Sequence, residues 1–188
     1  IELYTELDVF ERTGSLRIAS SPEQLAEMRR GVSRARGIGL DVELLEPEAA
    51  LAKMPAASPD SLHGGIWVPE DGWLDPHRTT YALASAARDL GVEIIQHCRV
   101  TGIDRSSDGA ITGVRTEQGR IAAPTVVNAA GMWAPRICAM AGTWVPSTPV
   151  DHQHIALTAV PGHELPRDMP CFRDPDNLVY GKAEAGGV

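Results

Sequence analysis

The sequence predicts a mixed α/β and α+β protein in which two domains are interleaved along the chain. A capped helix runs directly into a β-branched strand at residues 75–95, which is typical of α/β folds. A meander of short strands is expected between residues 100 and 122. Helices and antiparallel strands flank this centre, so we assign residues 75–145 to one domain and residues 1–74 and 146–188 to the other.

The first 74 residues begin with a helical stretch and continue with alternating strands and helices. Apolar and polar side chains alternate with period two over Gly14–Ala19, which predicts a strand. Ser21 followed by Gln24, with Pro22 at the first helical position, predicts the start of a helix. Gly37 then supplies its end. The other elements expected here are a helix over residues 47–54, a strand over 65–68 and a turn at 70–72.

A second well-marked helix opens the central part of the chain. Asp75 is a typical N-cap, Pro76 suits the first helical position, and Gly91 ends the helix. Leu83 and Leu90 share one face, which we expect to be packed. The elements expected after it are strands over residues 92–95, 100–103, 111–116, 120–122, 126–128 and 150–158, a helix over 133–140, and a strand that begins at Leu178.

The composition excludes several classes of function. The chain has 188 residues, of which 43% are apolar and 22% are charged. This composition is typical of a soluble globular protein. Its net charge of -8 leaves no basic stripe to neutralise phosphates, so nucleic acid and anionic membranes are poor candidate partners. Small molecules fit better. The chain starts at Ile1 without an initiator Met and stops in an expected turn at residues 184–188, so we expect both ends to be cuts within a longer protein.

The cysteines suggest neither a disulfide framework nor a zinc site. Cys98, Cys138 and Cys171 are odd in number and far apart, and they form no CxxC pair. This favours a reducing compartment, and we expect a cytoplasmic location, or the mitochondrial matrix in a eukaryote. No apolar run approaches the roughly 20 residues that a membrane-spanning helix needs.

Two glycine-containing segments are candidates for nucleotide contact. Gly37–Val42 holds two glycines of a GxGxxG pattern but follows a helix and lacks the third glycine, so it indicates a helix end. Asn128–Gly131 lies between an expected strand and a helix, where small residues allow a ligand close to the backbone. Tight strand-to-helix packing explains the same residues, and from the spacing alone both interpretations stay open.

The segment Val126–Ala134 has the sequence Val-Val-Asn-Ala-Ala-Gly-Met-Trp-Ala. It resembles a flavin-contacting motif of the D-amino-acid oxidase superfamily. Further matches follow the order seen in the dimethylglycine and sarcosine dehydrogenases of that superfamily. They are the segments Gly14–Ala19, Leu45–Glu48, Asp71–Pro76, Cys98–Ile103 and Pro149–His154. The resemblance covers nearly the whole chain. It implies an FAD-binding domain over residues 75–145, interleaved with the antiparallel-sheet substrate domain formed by the two flanking ranges.

The same resemblance implies site residues. It places the adenine end of FAD at the backbone of Val100, and it places further FAD contacts at Ala129, Ala130, Gly131 and Trp133. Without the resemblance, the edge of a buried sheet explains Val100 equally well.

The histidines show no HxxxH pair on a helix, so we expect no metal site. His152 and His154 fall on one face if residues 150–158 form a strand. The resemblance implies an active-site histidine at His152 and an active-site tyrosine at Tyr180, which follows Arg173 by seven residues. The structural alternatives are a surface histidine and an aromatic side chain packed on a sheet. Relatives often carry two adjacent tyrosines where this chain has Val179 and Tyr180.

The function implied for the parent protein is oxidation of a small amine that carries a carboxylate, with hydride transfer to FAD. Dimethylglycine and sarcosine are the expected substrates, and an electron-acceptor protein is a possible partner. The sequence contains no complete GxGxxG loop, so we expect this chain alone to be inactive and to bind FAD weakly. The alternatives are a flavoenzyme for another substrate, such as an amino acid or a glycerol phosphate, and a flavin-free binding module.

Overall fold

The computed structural model describes residues 1–158, 161–162 and 164–183. His163 and the turn expected at residues 184–188 lie outside the described residues. The mixed α/β class is confirmed. The helices are α1 (Glu2–Glu6), α2 (Pro22–Gly37), α3 (Pro47–Lys53), α4 (Pro76–Asp89) and α5 (Ala134–Met140). The strands are β1 (Phe10–Glu11), β2 (Ser15–Ala19), β3 (Glu43–Leu45), β4 (Gly64–Val68), β5 (Trp73–Leu74), β6 (Val100–Arg105), β7 (Ile111–Thr116), β8 (Gly119–Ala122), β9 (Cys171–Asp174) and β10 (Val179–Gly181).

The chain forms two compact units. Unit 1 consists of residues 1–90 and 155–188, and unit 2 consists of residues 91–154. Unit 2 is therefore an insertion in the sequence of unit 1. The functional assignment of residues 75–145 to cofactor binding stays a prediction.

Unit 1 is built on a sheet with the strand order β10-β9-β2-β4-β3. β2 pairs in parallel with β9, and the other neighbours are antiparallel. Alternation along β2 sends Leu16 and Ile18 into a core that also contains Ala50, Met54 and Leu62. Leu16 is only 1% exposed, and burial of such a side chain stabilises a fold by about 1.5–3 kcal/mol.

The helix starts of unit 1 follow the local signals in the sequence. The Ser21 hydroxyl accepts a hydrogen bond from the Gln24 amide at 3.1 Å and caps α2. The Asp75 carboxylate accepts from the Arg78 amide at 2.7 Å and caps α4. α2 ends at Gly37, so the interpretation of the neighbouring glycines as a helix end is confirmed. Both predicted caps are present because each depends on residues within one helical turn.

Unit 2 contains the predicted meander, with strand order β6-β7-β8, and the helix α5. The Arg105 guanidinium joins the two, since it donates to the Ala141 carbonyl at 3.0 Å and to the Gly109 carbonyl at 3.0 Å. Among the described large apolar residues of unit 2, only Ile103 is buried, with 7% of its surface exposed. This unit therefore has little core of its own.

Three of the predicted strands are absent from the structure. Residues 92–95, 126–128 and 150–158 are not strands, although their sequences are rich in β-branched side chains. A strand exists only when its backbone groups bond to a neighbouring strand, and no described segment pairs with these three. Val127 is 84% exposed and Val150 is 80% exposed. The apolar pattern therefore marks surfaces that the described residues do not cover.

The same holds for α4, whose expected packed face is not buried. The helix has no buried residue, and Leu83 and Leu90 are both exposed.

Among the described residues, no helix is long and apolar enough to cross a membrane.

Candidate functional site

The predicted site residues divide between the two units. Unit 2 holds Val100, Ala129, Ala130, Gly131, Trp133 and His152. Unit 1 holds Tyr180. The predicted catalytic residues His152 and Tyr180 thus belong to different units.

The turn after residue 128 is held by the Asn128 side chain. Its amide nitrogen donates to the Ala134 carbonyl at 3.0 Å and lies 3.3 Å from the Cys138 sulfur. Its amide oxygen accepts from the Ala130 backbone amide at 3.3 Å. Asn128 therefore fixes the small-residue turn to α5. In the sequence, Asn128 is the first residue of the small-residue motif. In the structure, its side chain also determines the shape of the turn.

The space in front of this turn is open. Gly131 has a φ of +53°, a conformation that side-chain-bearing residues rarely adopt, and no atom would lie within 4 Å of a Cβ placed there. Ala129 is exposed, Ala130 is half-buried and Trp133 is 56% exposed. An exposed backbone with small side chains beside an exposed indole ring fits a flat, aromatic ligand such as a flavin nucleotide.

Val100 is the first residue of β6, which is an edge strand of the meander. It pairs with Thr116, and the register shifts between Val100 and Gly102. Backbone groups on the outer side of an edge strand have no partner within their own sheet. The position therefore suits a ligand that contacts the backbone, such as the adenine end of FAD that the family resemblance implies here.

Sequence reasoning missed a cavity in unit 2. It has a volume of about 390 Å³ and lies between the meander and α5. Ile103, Ile111 and Ile137 are among the residues that line it, together with Asn128 and Cys138. The signal was one isoleucine on each of three elements, but only the fold brings these residues together.

His152 is exposed in unit 2 and has an interaction partner. The expected strand at residues 150–158 is absent, so His152 and His154 do not share a strand face. The role inferred for His152 from the family resemblance is independent of that argument and stays a prediction.

Tyr180 lies on β10 directly opposite Arg173 on β9. Its side chain is 60% exposed and has an interaction partner. The same register continues across the sheet, because Arg173 pairs with Arg17 on β2 and Arg17 pairs with Ile66 on β4. The tyrosine is thus placed at the end of a row of side chains that includes two arginines.

The β9–β10 hairpin that carries Tyr180 is fastened to the start of α2. Asp174 is 7% exposed and accepts hydrogen bonds from the side chains of Ser20 and Asn177, both at 2.7 Å. Asp176 accepts from the Ser20 amide and the Ser21 hydroxyl, both at 2.9 Å. Burial acts to raise the pKa of Asp174, but the hydrogen bonds from Asn177 and Ser20 outweigh it and hold that pKa below its ordinary value.

Cys171 is part of the same sheet, and its free thiol is partly buried. Burial is the main cause that raises the pKa of its thiol. The sulfur lies 3.4 Å from the carbonyl oxygens of Gly14 and Gly72, which accept from the thiol. Among residues 1–158, 161–162 and 164–183, no group of three or more His, Cys, Asp or Glu side chains could hold a metal ion.

Known proteins resemble this chain over most of its length. A family model described as FAD dependent oxidoreductase (DAO) matches residues 2–188. Mitochondrial sarcosine dehydrogenase of Mus musculus is 35% identical over 173 residues, covering 90% of this chain and 18% of that protein. Mitochondrial dimethylglycine dehydrogenase of Rattus norvegicus is 33% identical over 196 residues, covering 100% of this chain and 23% of that protein.

A solved structure, that of L-proline dehydrogenase from P. horikoshii, superposes with a TM-score of 0.83 at 25% identity, covering 99% of this chain and 50% of the other. The chain spans 18% and 23% of the length of the two curated relatives named above. Because the family model matches nearly every residue, the protein belongs to the DAO family of FAD-dependent oxidoreductases.

Proposed function

We propose that the full-length protein oxidises a small secondary or tertiary amine that carries a carboxylate, such as sarcosine or dimethylglycine. The observation that carries this proposal is the similarity to sarcosine and dimethylglycine dehydrogenases over 90–100% of the chain. It extends through both units, and so includes the segments that hold the candidate catalytic residues as well as those that hold the candidate cofactor contacts.

The residues of unit 2 fit FAD as the cofactor. The edge strand at Val100 and the open turn from Ala129 to Gly131 would hold it through backbone contacts, and Trp133 would lie beside it. Bound FAD would supply the acceptor for a hydride released from the carbon next to the amine nitrogen. Asn128 contributes indirectly, because it fixes the shape of the turn.

The chain's own side chains would bind and orient the amine. A protonated nitrogen has no lone pair to assist hydride loss, so a group that accepts the amine proton is needed. His152 is our candidate for that group, and Tyr180 is our candidate for a hydroxyl that donates a hydrogen bond to the substrate. Replacing either residue should shift the pH dependence of substrate oxidation.

The 188-residue chain differs from the full-length protein in what we expect of its FAD binding. It has no complete GxGxxG pattern, the loop whose backbone amides bind a pyrophosphate. We therefore expect weak FAD binding and no turnover from this segment in isolation. Isothermal titration with FAD tests this, and micromolar affinity would contradict it.

The decisive experiment uses the full-length protein. Its visible absorption is recorded without oxygen before and after addition of dimethylglycine or sarcosine. Flavin bands that bleach with one of these amines support the proposal and name the substrate. Bands that stay unchanged with both would mean a flavoenzyme for another substrate. A colourless protein, with FAD supplied during folding, would favour a flavin-free binding module.

The electron acceptor is tested in the same preparation. Re-oxidation of the bleached flavin by oxygen alone would indicate an oxidase, and re-oxidation only by an added electron-transfer protein would indicate a dehydrogenase.

The two curated relatives are described as mitochondrial, which supports a mitochondrial location if the host is a eukaryote.

A further inference from the structure

The turn that leads into Tyr180 has an unusual backbone. β9 and β10 are joined by residues 175–178, and the last of these, Leu178, has a φ of +56°. Residues with a Cβ rarely adopt this left-handed conformation, because the Cβ comes close to the following carbonyl oxygen. The Leu178 side chain is 89% exposed, so its own packing does not compensate for the strain. Other contacts therefore hold the turn in this conformation.

Two aspartates hold the turn from two sides. From the end of β9, Asp174 accepts hydrogen bonds from the backbone amides of Asp176 and Asn177 at 3.0 and 3.3 Å. From within the turn, Asp176 reaches the start of α2, where its carboxylate accepts from the Ser20 amide and the Ser21 hydroxyl, both at 2.9 Å. Asp174 therefore shapes the turn locally, and Asp176 connects it to a second element.

The start of α2 is a firm point of attachment. Ser21 caps this helix of 16 residues by accepting from the Gln24 amide at 3.1 Å. A carboxylate at a helix N-terminus is also favoured by the partial positive charge of the helix dipole. Met28 and Val32 of α2 are buried, so the helix is packed on the rest of unit 1. The two bonds to Asp176 thus join the turn to an element that is itself fixed.

We propose that Asp176 is a positioning residue for Tyr180. Tyr180 follows the turn by two positions, and its register opposite Arg173 on β9 depends on the conformation of residues 175–178. A displacement of about 1 Å in a group that orients the substrate can slow a reaction by roughly 100-fold. Asp176 acts through the backbone of the turn and of β10. The inference rests on the proposed function, in which Tyr180 donates a hydrogen bond to the substrate.

The test follows flavin bleaching by dimethylglycine or sarcosine without oxygen in the full-length protein. Asp176→Ala is compared with Tyr180→Phe and with the variant that carries both changes. Glu23→Ala is the matched control, because Glu23 is an exposed acid in the first turn of α2. Within the described part of the chain, Glu23 has no hydrogen bond or ion pair with the hairpin. Asp176 is itself exposed, so its replacement should leave the protein folded.

Asp176→Ala should slow bleaching at saturating amine by about tenfold, and Asp176→Asn by about threefold, because the amide keeps one acceptor oxygen. Asp176→Ala should also move the pH dependence of bleaching in the same direction as Tyr180→Phe. In the Tyr180→Phe background, Asp176→Ala should change the rate by less than about twofold, since the group that it positions is gone. Glu23→Ala should behave as the wild type. A wild-type rate in Asp176→Ala or in Tyr180→Phe, or an undiminished effect of Asp176→Ala in the Tyr180→Phe background, overturns the proposal.

Leu178 offers a second pair of variants, which report on the turn without the chemistry. Leu178→Gly and Leu178→Val both replace an exposed leucine, but glycine accepts a positive φ and valine resists it. Hydrogen exchange of the β10 amides that bond to β9 should stay within about twofold of the wild type in Leu178→Gly. It should become about tenfold faster in Leu178→Val and in Asp176→Ala.

The two measurements distinguish a failure of this proposal from a failure of the proposed function. If no amine bleaches the wild-type flavin, the proposed substrate is wrong, and hydrogen exchange alone decides whether Asp176 fixes β10. If an amine bleaches the flavin and exchange rises in Asp176→Ala while the bleaching rate does not change, the proposed function stands and the positioning role is wrong. If exchange is unchanged in both Asp176→Ala and Leu178→Val, the turn does not hold Tyr180 in place and the proposal is wrong.

Discussion

Asp174 is expected to hold the β9–β10 hairpin, and its replacement by alanine should release Tyr180 from a fixed position. The carboxylate accepts from the Ser20 hydroxyl and the Asn177 amide group at 2.7 Å, and from the backbone amides of Asp176 and Asn177 at 3.0 and 3.3 Å. Removing it leaves all four donors without this acceptor. The residue is almost fully buried, so water replaces the lost bonds poorly.

The size of the effect follows from these bonds. Hydrogen bonds to a charged group contribute about 1.5–3 kcal/mol each, but bonds that share one acceptor do not add, so we expect Asp174→Ala to cost about 3 kcal/mol. Asp174→Asn keeps the shape and one acceptor oxygen, and we expect it to cost about 1 kcal/mol. A loss of 3 kcal/mol corresponds to a change of roughly 100-fold in an opening equilibrium.

Hydrogen exchange of the backbone amides of β9 and β10 measures this opening directly in the full-length protein. Protection of the β10 amides that bond to β9 should fall about 100-fold in Asp174→Ala and about fivefold in Asp174→Asn. Asp168→Ala is the control, since Asp168 is exposed in the same unit. Exchange in Asp174→Ala within twofold of the wild type, or an equal loss in the control, would refute the assignment of Asp174 as the anchor.

Four further outcomes are expected. The pKa of Asp174 is lowered in the folded protein, so its stabilisation is fully present above the ordinary carboxyl pKa. Hairpin protection should therefore begin to decrease as the pH falls below that ordinary pKa, and the loss should be complete below the lower folded pKa. Ser21→Ala should destabilise α2 by about 1 kcal/mol and Ser21→Gly by a few tenths, as read by exchange of its first turn. Asn128→Ala should loosen the turn before α5 and weaken FAD retention by several-fold in a dialysis assay, whereas Arg88→Gln in α4 should not. Cys171 should react with iodoacetamide with a pH midpoint above that of an ordinary thiol, and a midpoint at or below that value would contradict the raised pKa.

Local signals in the sequence predicted the helices well. The Ser21 and Asp75 caps act within one turn of backbone, so the residues that form them are adjacent in sequence and visible there. The meander was predicted for a related reason, because its strands are joined by short turns.

Strand pairing between distant segments could not be predicted in this way. The strands expected at residues 92–95 and 126–128 have the right side chains, but a ladder needs a partner that the described chain does not supply. Conversely, β9 is present but was not predicted. Its four residues are too few to show a clear alternation of apolar and polar side chains, and its position depends on pairing with β2. Arg17 and Arg173 were each visible in sequence, and only the parallel pairing makes them neighbours.

The pairing of β2 with β9 also determines the order in which the protein can fold during synthesis. Ser20 and Asp176 are joined by a hydrogen bond across 156 positions of sequence. At the usual pace of translation, roughly 8–30 s separate the emergence of two such segments from the ribosome. Once β4 has paired with β2, and until β9 arrives, β2 has one open edge, a template to which any other extended chain can bond. Arg17, in the middle of that strand, places a positive charge there, and charge on an open edge discourages unwanted pairing until β9 arrives.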